Sequence, residues 1–313
     1  MNLRIRISLV AVALLAAMLA CNLPGRTAEP TPSEPTPNRT MTALFQIITQ
    51  QVTLAPPSVV NTPDLQLSTA TEMVSSPSPT AATTPLPPAT VTPTKAAELR
   101  PAGRAAAAFL STPPVMDGVW DEWGTTAFPA RLVVFGEENH DGKEDQEGSF
   151  RIGWDSTYLY LAVKVIDDEY VQNATGVDIF KGDSIELLFD VDLQGDLNST
   201  ELNQDDYQLV ISPGRGGIAG PKEAYLYYPS ARVGARTDVV IASEGGDGLY
   251  RVEIAIPWTL FGINPASGQQ YGFLVSISDN DNPAANVQQS MVSNVANRSL
   301  TNPTTWALLT LNR

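Results

Sequence analysis

The 313-residue chain carries one cysteine, Cys21, and one histidine, His140. A single thiol excludes any disulfide within the chain, and a single imidazole excludes a Cys/His zinc cluster. No Gly-x-Ser-x-Gly elbow, P-loop, dinucleotide fingerprint or His-Glu-x-x-His is present, which removes the usual signatures of hydrolases, nucleotide enzymes and zinc proteases. Aromatic rings are nearly missing from the first 103 positions, where Phe45 is the only one; all 5 Trp and all 9 Tyr come later. Basic residues are scarce in the remainder. Residues 104–313 hold 29 acids and 13 bases, a net of −16, against 5 acids and 6 bases before them. A domain of that sign repels phosphate backbones, so nucleic acid is not expected as a partner.

What the front does contain is an address and a spacer. Arg4 and Arg6 precede a 13-residue uncharged run, Ser8 to Ala20. A bilayer span needs about 20 residues, so the run suits the core of a secretory signal. Cys21 follows directly behind Ala20. Met18-Leu-Ala-Cys21 resembles the lipobox of a bacterial lipoprotein signal, which implies lipidation of Cys21, a membrane contact through a lipid anchor and an extracytoplasmic location. Residues 1–21 are thus expected to be a signal peptide. Residues 22–103 follow as a stalk, in which 14 of the 25 Pro fall between Pro24 and Pro93. Such a stretch has too little apolar surface to offset the entropy of ordering. As a flexible coil it reaches on the order of 50 Å.

From residue 104 the pattern turns to period two. Leu159, Leu161, Val163 and Val165 alternate with Tyr158, Tyr160 and Lys164. Ile185, Leu187, Phe189 and Val191 share a face, as do Tyr250, Val252, Ile254 and Ile256. Glycine-rich turns separate the runs. Roughly ten short strands predict an all-β domain over 104–313, an antiparallel β-sandwich of jelly-roll type. Single helical turns are expected at Trp120–Gly124 and Trp258–Gly262. Trp123, Trp154, Trp258 and Trp306 read as core, and Trp120 as exposed.

Several phrases then fall in order: Pro114-Val-Met-Asp-Gly-Val-Trp-Asp-Glu-Trp123, Phe150-Arg-Ile-Gly-Trp-Asp155, Gly182-Asp-Ser-Ile-Glu186, Tyr250-Arg-Val-Glu253, Gly272-Phe-Leu-Val275 and Pro303-Thr-Thr-Trp306. Together they resemble the family 9 carbohydrate-binding modules, within the wider DOMON-like β-sandwich group. The resemblance implies a non-catalytic module that binds a polysaccharide or oligosaccharide, often with calcium, beside polysaccharide-degrading enzymes. It maps one stacking ring onto Phe180 and a hydroxyl-binding carboxylate onto Glu186, with Asp183 close by in the same phrase. Asn297 takes the place of a hydroxyl-binding amide. A second ring is expected at position 300, where this chain has Leu300, and a basic residue at 210, where it has Val210. Tyr225 and Tyr227, on one face of a strand, are a candidate replacement for the missing ring, or an ordinary strand pair.

The acids give two further expectations. Asp190, Asp192, Asp196 and Asp206 sit in a loop region without basic residues, and hard carboxylate oxygens suit Ca²⁺. Asp167-Asp168-Glu169 and Asp279-Asn-Asp281 are further candidates; the alternative for them is a strand end turned by Asx hydrogen bonds. Glu186 and Asp190 also share a strand face, as the two carboxylates of a jelly-roll glycosidase do. Carbohydrate binding, a structural or protein-interaction sandwich, and glycoside hydrolysis therefore stand as three readings, in that order.

Overall fold

The computed structural model describes Arg100, residues 102–195 and residues 197–313. The expectations for Cys21, for residues 22–99 of the stalk and for Asp196 lie outside the described residues.

Fourteen strands are described: β1 (Arg104–Phe109), β2 (Phe128–Ala130), β3 (Leu132–Phe135), β4 (Gln146–Trp154), β5 (Tyr158–Asp167), β6 (Ser184–Asp190), β7 (Asp206–Ser212), β8 (Glu223–Tyr228), β9 (Gly234–Ala235), β10 (Val240–Gly246), β11 (Leu249–Pro257), β12 (Gln270–Asp279), β13 (Ser290–Ser293) and β14 (Ala307–Asn312). They form one curled sheet in the order β10-β11-β5-β4-β1-β14-β12-β6-β7-β8-β9. Folded on itself, it is a β-sandwich. One half is β10-β11-β5-β4, the other β12-β6-β7-β8-β9, and β1 and β14 join them. β13 bridges β12 to β3, and β2 adds to β4.

Alternation decides which side chains fill the interior. Leu159, Leu161, Val163 and Val165 of β5 meet Ile185, Leu187 and Phe189 of β6 and Phe273, Val275 and Ile277 of β12 in one core. Each such side chain taken fully out of water contributes about 1.5–3 kcal/mol. Phe189 and Phe261 stack at 4.4 Å between centroids. The expected turn at Trp258 forms as a helix, Trp258–Phe261, closed by Gly262 in the left-handed region at φ 72°. The one expected at Trp120 is a turn without a helix. Two pairings depart from the antiparallel expectation: β1 runs parallel to both β14 and β4. Its sequence, Arg104-Ala-Ala-Ala-Ala-Phe109, gives no sign of direction.

A second, smaller cluster packs outside β5 and β11. Trp123, Tyr160, Ala162 and Ala255 form it, with Leu110, Met116, Trp120 and Tyr158 against them. Glu253, fully buried on β11, fixes this layer. It accepts hydrogen bonds from Trp123 Nε1 (2.6 Å), Gly118 N–H (2.7 Å) and Asp117 N–H (3.0 Å). Gly118 has φ +87°, and a Cβ there would lie 2.9 Å from the Glu244 nitrogen, so only glycine fits the clamp.

Candidate functional site

The non-core face of β6 carries the residues expected to contact a ligand. Register sets Tyr225 (β8), Val210 (β7), Glu186 (β6), Ser276 (β12) and Ser293 (β13) in one row. A 3-10 turn at Gly176–Lys181 lies against β6, β7 and β8 at one end of this row.

Phe180, in that turn, is buried and meets Tyr227 edge-on at 6.2 Å. Tyr227 is itself buried and lies 4.9 Å from the half-buried ring of Tyr225. Lys181 Nζ sits 5.7 Å from the Phe180 ring centre. The partly open aromatic surface is therefore Tyr225, backed by two buried rings. Glu186 pairs with Arg298 at 2.7 Å, the two side chains being 3% and 5% exposed. Gln208 Nε2 donates to its other oxygen at 2.9 Å. Asn297, next to Arg298 in the chain, is exposed. Leu300 and Val210 are buried. Arg298 was not anticipated from sequence; its signal was a base one residue from the expected amide.

Asp183 does not join this row. It is fully buried, accepts a very short hydrogen bond from Val171 N–H and another from Asn280 N–H at 3.2 Å, and faces other carboxylates. Its oxygens come within 4.8 Å of those of Asp167 and Asp279, and Asp145, Asp168 and Asp281 make a second such group. Burial, then the charge of Asp281, pushes Asp167 up to about 7. Burial first and Asp281 second push Asp279 to about 8. Burial and then Asp145 raise Asp281 to about 6. Asp183 is raised well above the usual range, by burial first and Asp167 second. Asp167 Oδ2, Asp279 Oδ1 and Asp281 Oδ1 are buried without a hydrogen-bond partner among the described residues. A hard divalent cation fits such a donor set, because it replaces carboxylate repulsion by oxygen coordination.

The loop acids are employed differently. Asp190 is buried against Arg100, whose Nη2 lies 2.5 Å from Oδ2. Asp192 Oδ1 accepts from Gly195 N–H at 2.9 Å, and Asp206 Oδ2 from Asn203 N–H at 2.8 Å. Among the described residues Asp190, Asp192 and Asp206 do not form a three-carboxylate group of this kind. The sequence could not show this, because Arg100 is 90 residues from Asp190.

A profile described as carbohydrate family 9 binding domain-like matches residues 115–313. No curated protein matches the chain. Among solved structures, a family 9 carbohydrate binding module from Caldicellulosiruptor kristjanssonii in complex with glucose is 19% identical, with a TM-score of 0.50, over 67% of this chain and 96% of that one. A module of the same description and organism, in complex with cellotriose, is 18% identical at a TM-score of 0.49, over 67% and 93%. A putative carbohydrate-binding protein from Bacteroides uniformis is 14% identical at 0.47, over 67% and 99%. At these identities the likeness concerns the fold.

Proposed function

Because the chain belongs to the carbohydrate family 9 binding domain-like family, we propose that its β-sandwich binds a polysaccharide or oligosaccharide outside the cytoplasm and does not cleave it. The observation that carries this reading is the row from Tyr225 to Glu186. It places a half-buried ring, Tyr225, backed by Tyr227 and Phe180, on the same sheet face as the Glu186–Arg298 ion pair, with the exposed Asn297 next to Arg298 in the chain. Sugars present apolar C–H faces to rings, and hydroxyl rims to such polar groups. The stacking role moves from Phe180, which is buried, to Tyr225. The solved modules named above hold cellotriose and glucose, neutral sugars that such a row suits.

The same face supports binding without cleavage: Glu186 and Asp190, the two carboxylates that share a strand face as in a jelly-roll glycosidase, are each engaged in an ion pair with an arginine. A second reading, a protein-interaction sandwich without sugar binding, is favoured by the burial of Leu300 and Val210 where a ring and a base are expected. Affinity-gel electrophoresis on a panel of neutral glycans, with Ca²⁺ present, separates the two. Retardation supports sugar binding, and its absence on every glycan at millimolar sensitivity supports the alternative.

In this reading Ca²⁺ is a structural ion, held by Asp167, Asp183 and Asp279 with Asp145, Asp168 and Asp281 beside them. Cys21 carries the lipid anchor and the stalk spaces the domain from the membrane, near enzymes of polysaccharide breakdown. Metabolic labelling with a radioactive fatty acid, lost in Cys21→Ser, tests the anchor.

A further inference from the structure

The other half of the sandwich carries a cleft of about 450 Å³ on its outer surface. That volume lies within the range of small-molecule sites, about 300–1,000 Å³. Strand alternation builds it. Phe150, Val163 and Val252 point into the core, so Ser149 and Arg151, Lys164, and Arg251 point outward. Register sets Ser149, Lys164, Arg251 and Glu244 in one row across β4, β5, β11 and β10. Lys164 and Arg251 are thus directly opposite, with Cβ atoms about 4.5–5.5 Å apart, a spacing at which like charges destabilise a sheet.

Arg151 lies one row along, its guanidinium carbon 4.7 Å from the centre of the Trp120 ring. Lys164, Arg251 and Arg151 have no ion-pair partner among the described residues. Trp120 Nε1 and Arg151 Nε are shielded from solvent and lack a hydrogen-bond partner among them. Asp121 and Glu244 also line the cleft, so three cations face two carboxylates. This excess of positive charge stands on a domain whose net is −16. A neighbouring cleft of about 280 Å³, lined by Trp123, Phe128, Ile152 and Asn312, shares Arg151 and extends the groove.

We propose that this face is a second saccharide site, selective for an acidic sugar. The C–H face of a uronic acid ring lies against the exposed part of Trp120, beside the Arg151 guanidinium that stacks over that ring, and its carboxylate is held between Lys164 and Arg251. A carboxylate in that place relieves the repulsion of the two cations and pairs with the guanidinium fork. A neutral sugar leaves the repulsion intact, and a bare inorganic anion leaves the Trp120 ring unused. The site is on the sheet half opposite Tyr225 and does not depend on the sugar reading of that row.

Titration calorimetry on the whole chain, with matched acidic and neutral probes, tests the proposal. The pairs are digalacturonic acid against α-1,4-galactobiose, and xylotriose with and without a glucuronic acid branch. The expected result is at least tenfold tighter binding of the acidic member in one pair. Lys164→Met with Arg251→Met abolishes that preference at an unchanged melting temperature, whereas Tyr225→Ala leaves it in place. Equal or absent binding within both pairs, or a preference that survives the double substitution, overturns it.

Discussion

Arg298 and Glu186 meet at 2.7 Å with both side chains almost excluded from water. The pair closes the floor of the Tyr225 row, and it is the tie between the 294–305 segment and β6. Removing one partner from such a pair strands a buried charge, at a cost of about 3–5 kcal/mol. Arg298→Met is therefore predicted to lower stability by about that amount, and Arg298→Met combined with Glu186→Gln to restore most of it. Urea unfolding of the two single variants and the double checks this. A loss below about 1 kcal/mol in the Arg298 variant, the range of an exposed pair, would contradict it.

Glu253 joins two segments far apart in sequence by accepting from Trp123, Gly118 and Asp117. Hydrogen bonds to a charged acceptor contribute about 1.5–3 kcal/mol each. Glu253→Ala is predicted to cost at least about 3 kcal/mol, since three donors lose their acceptor together. Gly118→Ala is predicted to destabilise as well, from the φ of +87° and the close Glu244 backbone. Thermal melts of both variants test the clamp. A Gly118→Ala protein that melts with the wild type would remove the steric argument.

The carboxylate cluster predicts an inverted pH dependence. Asp281, Asp167 and Asp279 are raised to about 6, 7 and 8. In each case the folded value lies above the unfolded one, so the folded state binds more protons. Their contribution to stability is full below the ordinary carboxyl range and is lost as pH rises through about 6 to 8. In a chelator the melting temperature should fall between pH 5 and pH 8.5; in millimolar CaCl₂ it should not. Asp167→Asn should raise the chelator value at pH 8.5 and blunt the response to Ca²⁺. Identical melts in chelator and CaCl₂ at pH 8.5 would rule out the ion site.

The strands were legible in the sequence wherever period two ran unbroken, as in β5 and β11, because one face of each is core. Direction was not legible for β1, whose four alanines fit either pairing. Site residues were legible as phrases but not as roles. Asp183 sits three residues before Glu186, yet it turns into the acidic cluster while Glu186 faces the row. Their odd spacing already puts them on opposite faces of an extended segment; what local spacing did not show is that Asp167 and Asp279 meet Asp183 there. The arginines that occupy Glu186 and Asp190 come from segments distant in sequence, so neither pairing was legible from the spacing around those two acids. Tyr225 was visible as a candidate; its backing by Tyr227 and Phe180 needed the turn at Gly176–Lys181 to be placed over β8.

The most direct test of the account is a calorimetric titration of the glycan most retarded in affinity gels, into wild type and Tyr225→Ala with Ca²⁺ present. The account predicts measurable binding by wild type and at least tenfold weaker binding by Tyr225→Ala, with both proteins melting at the same temperature. Equal affinity of the two proteins, or no binding by wild type to any neutral glycan, would contradict it.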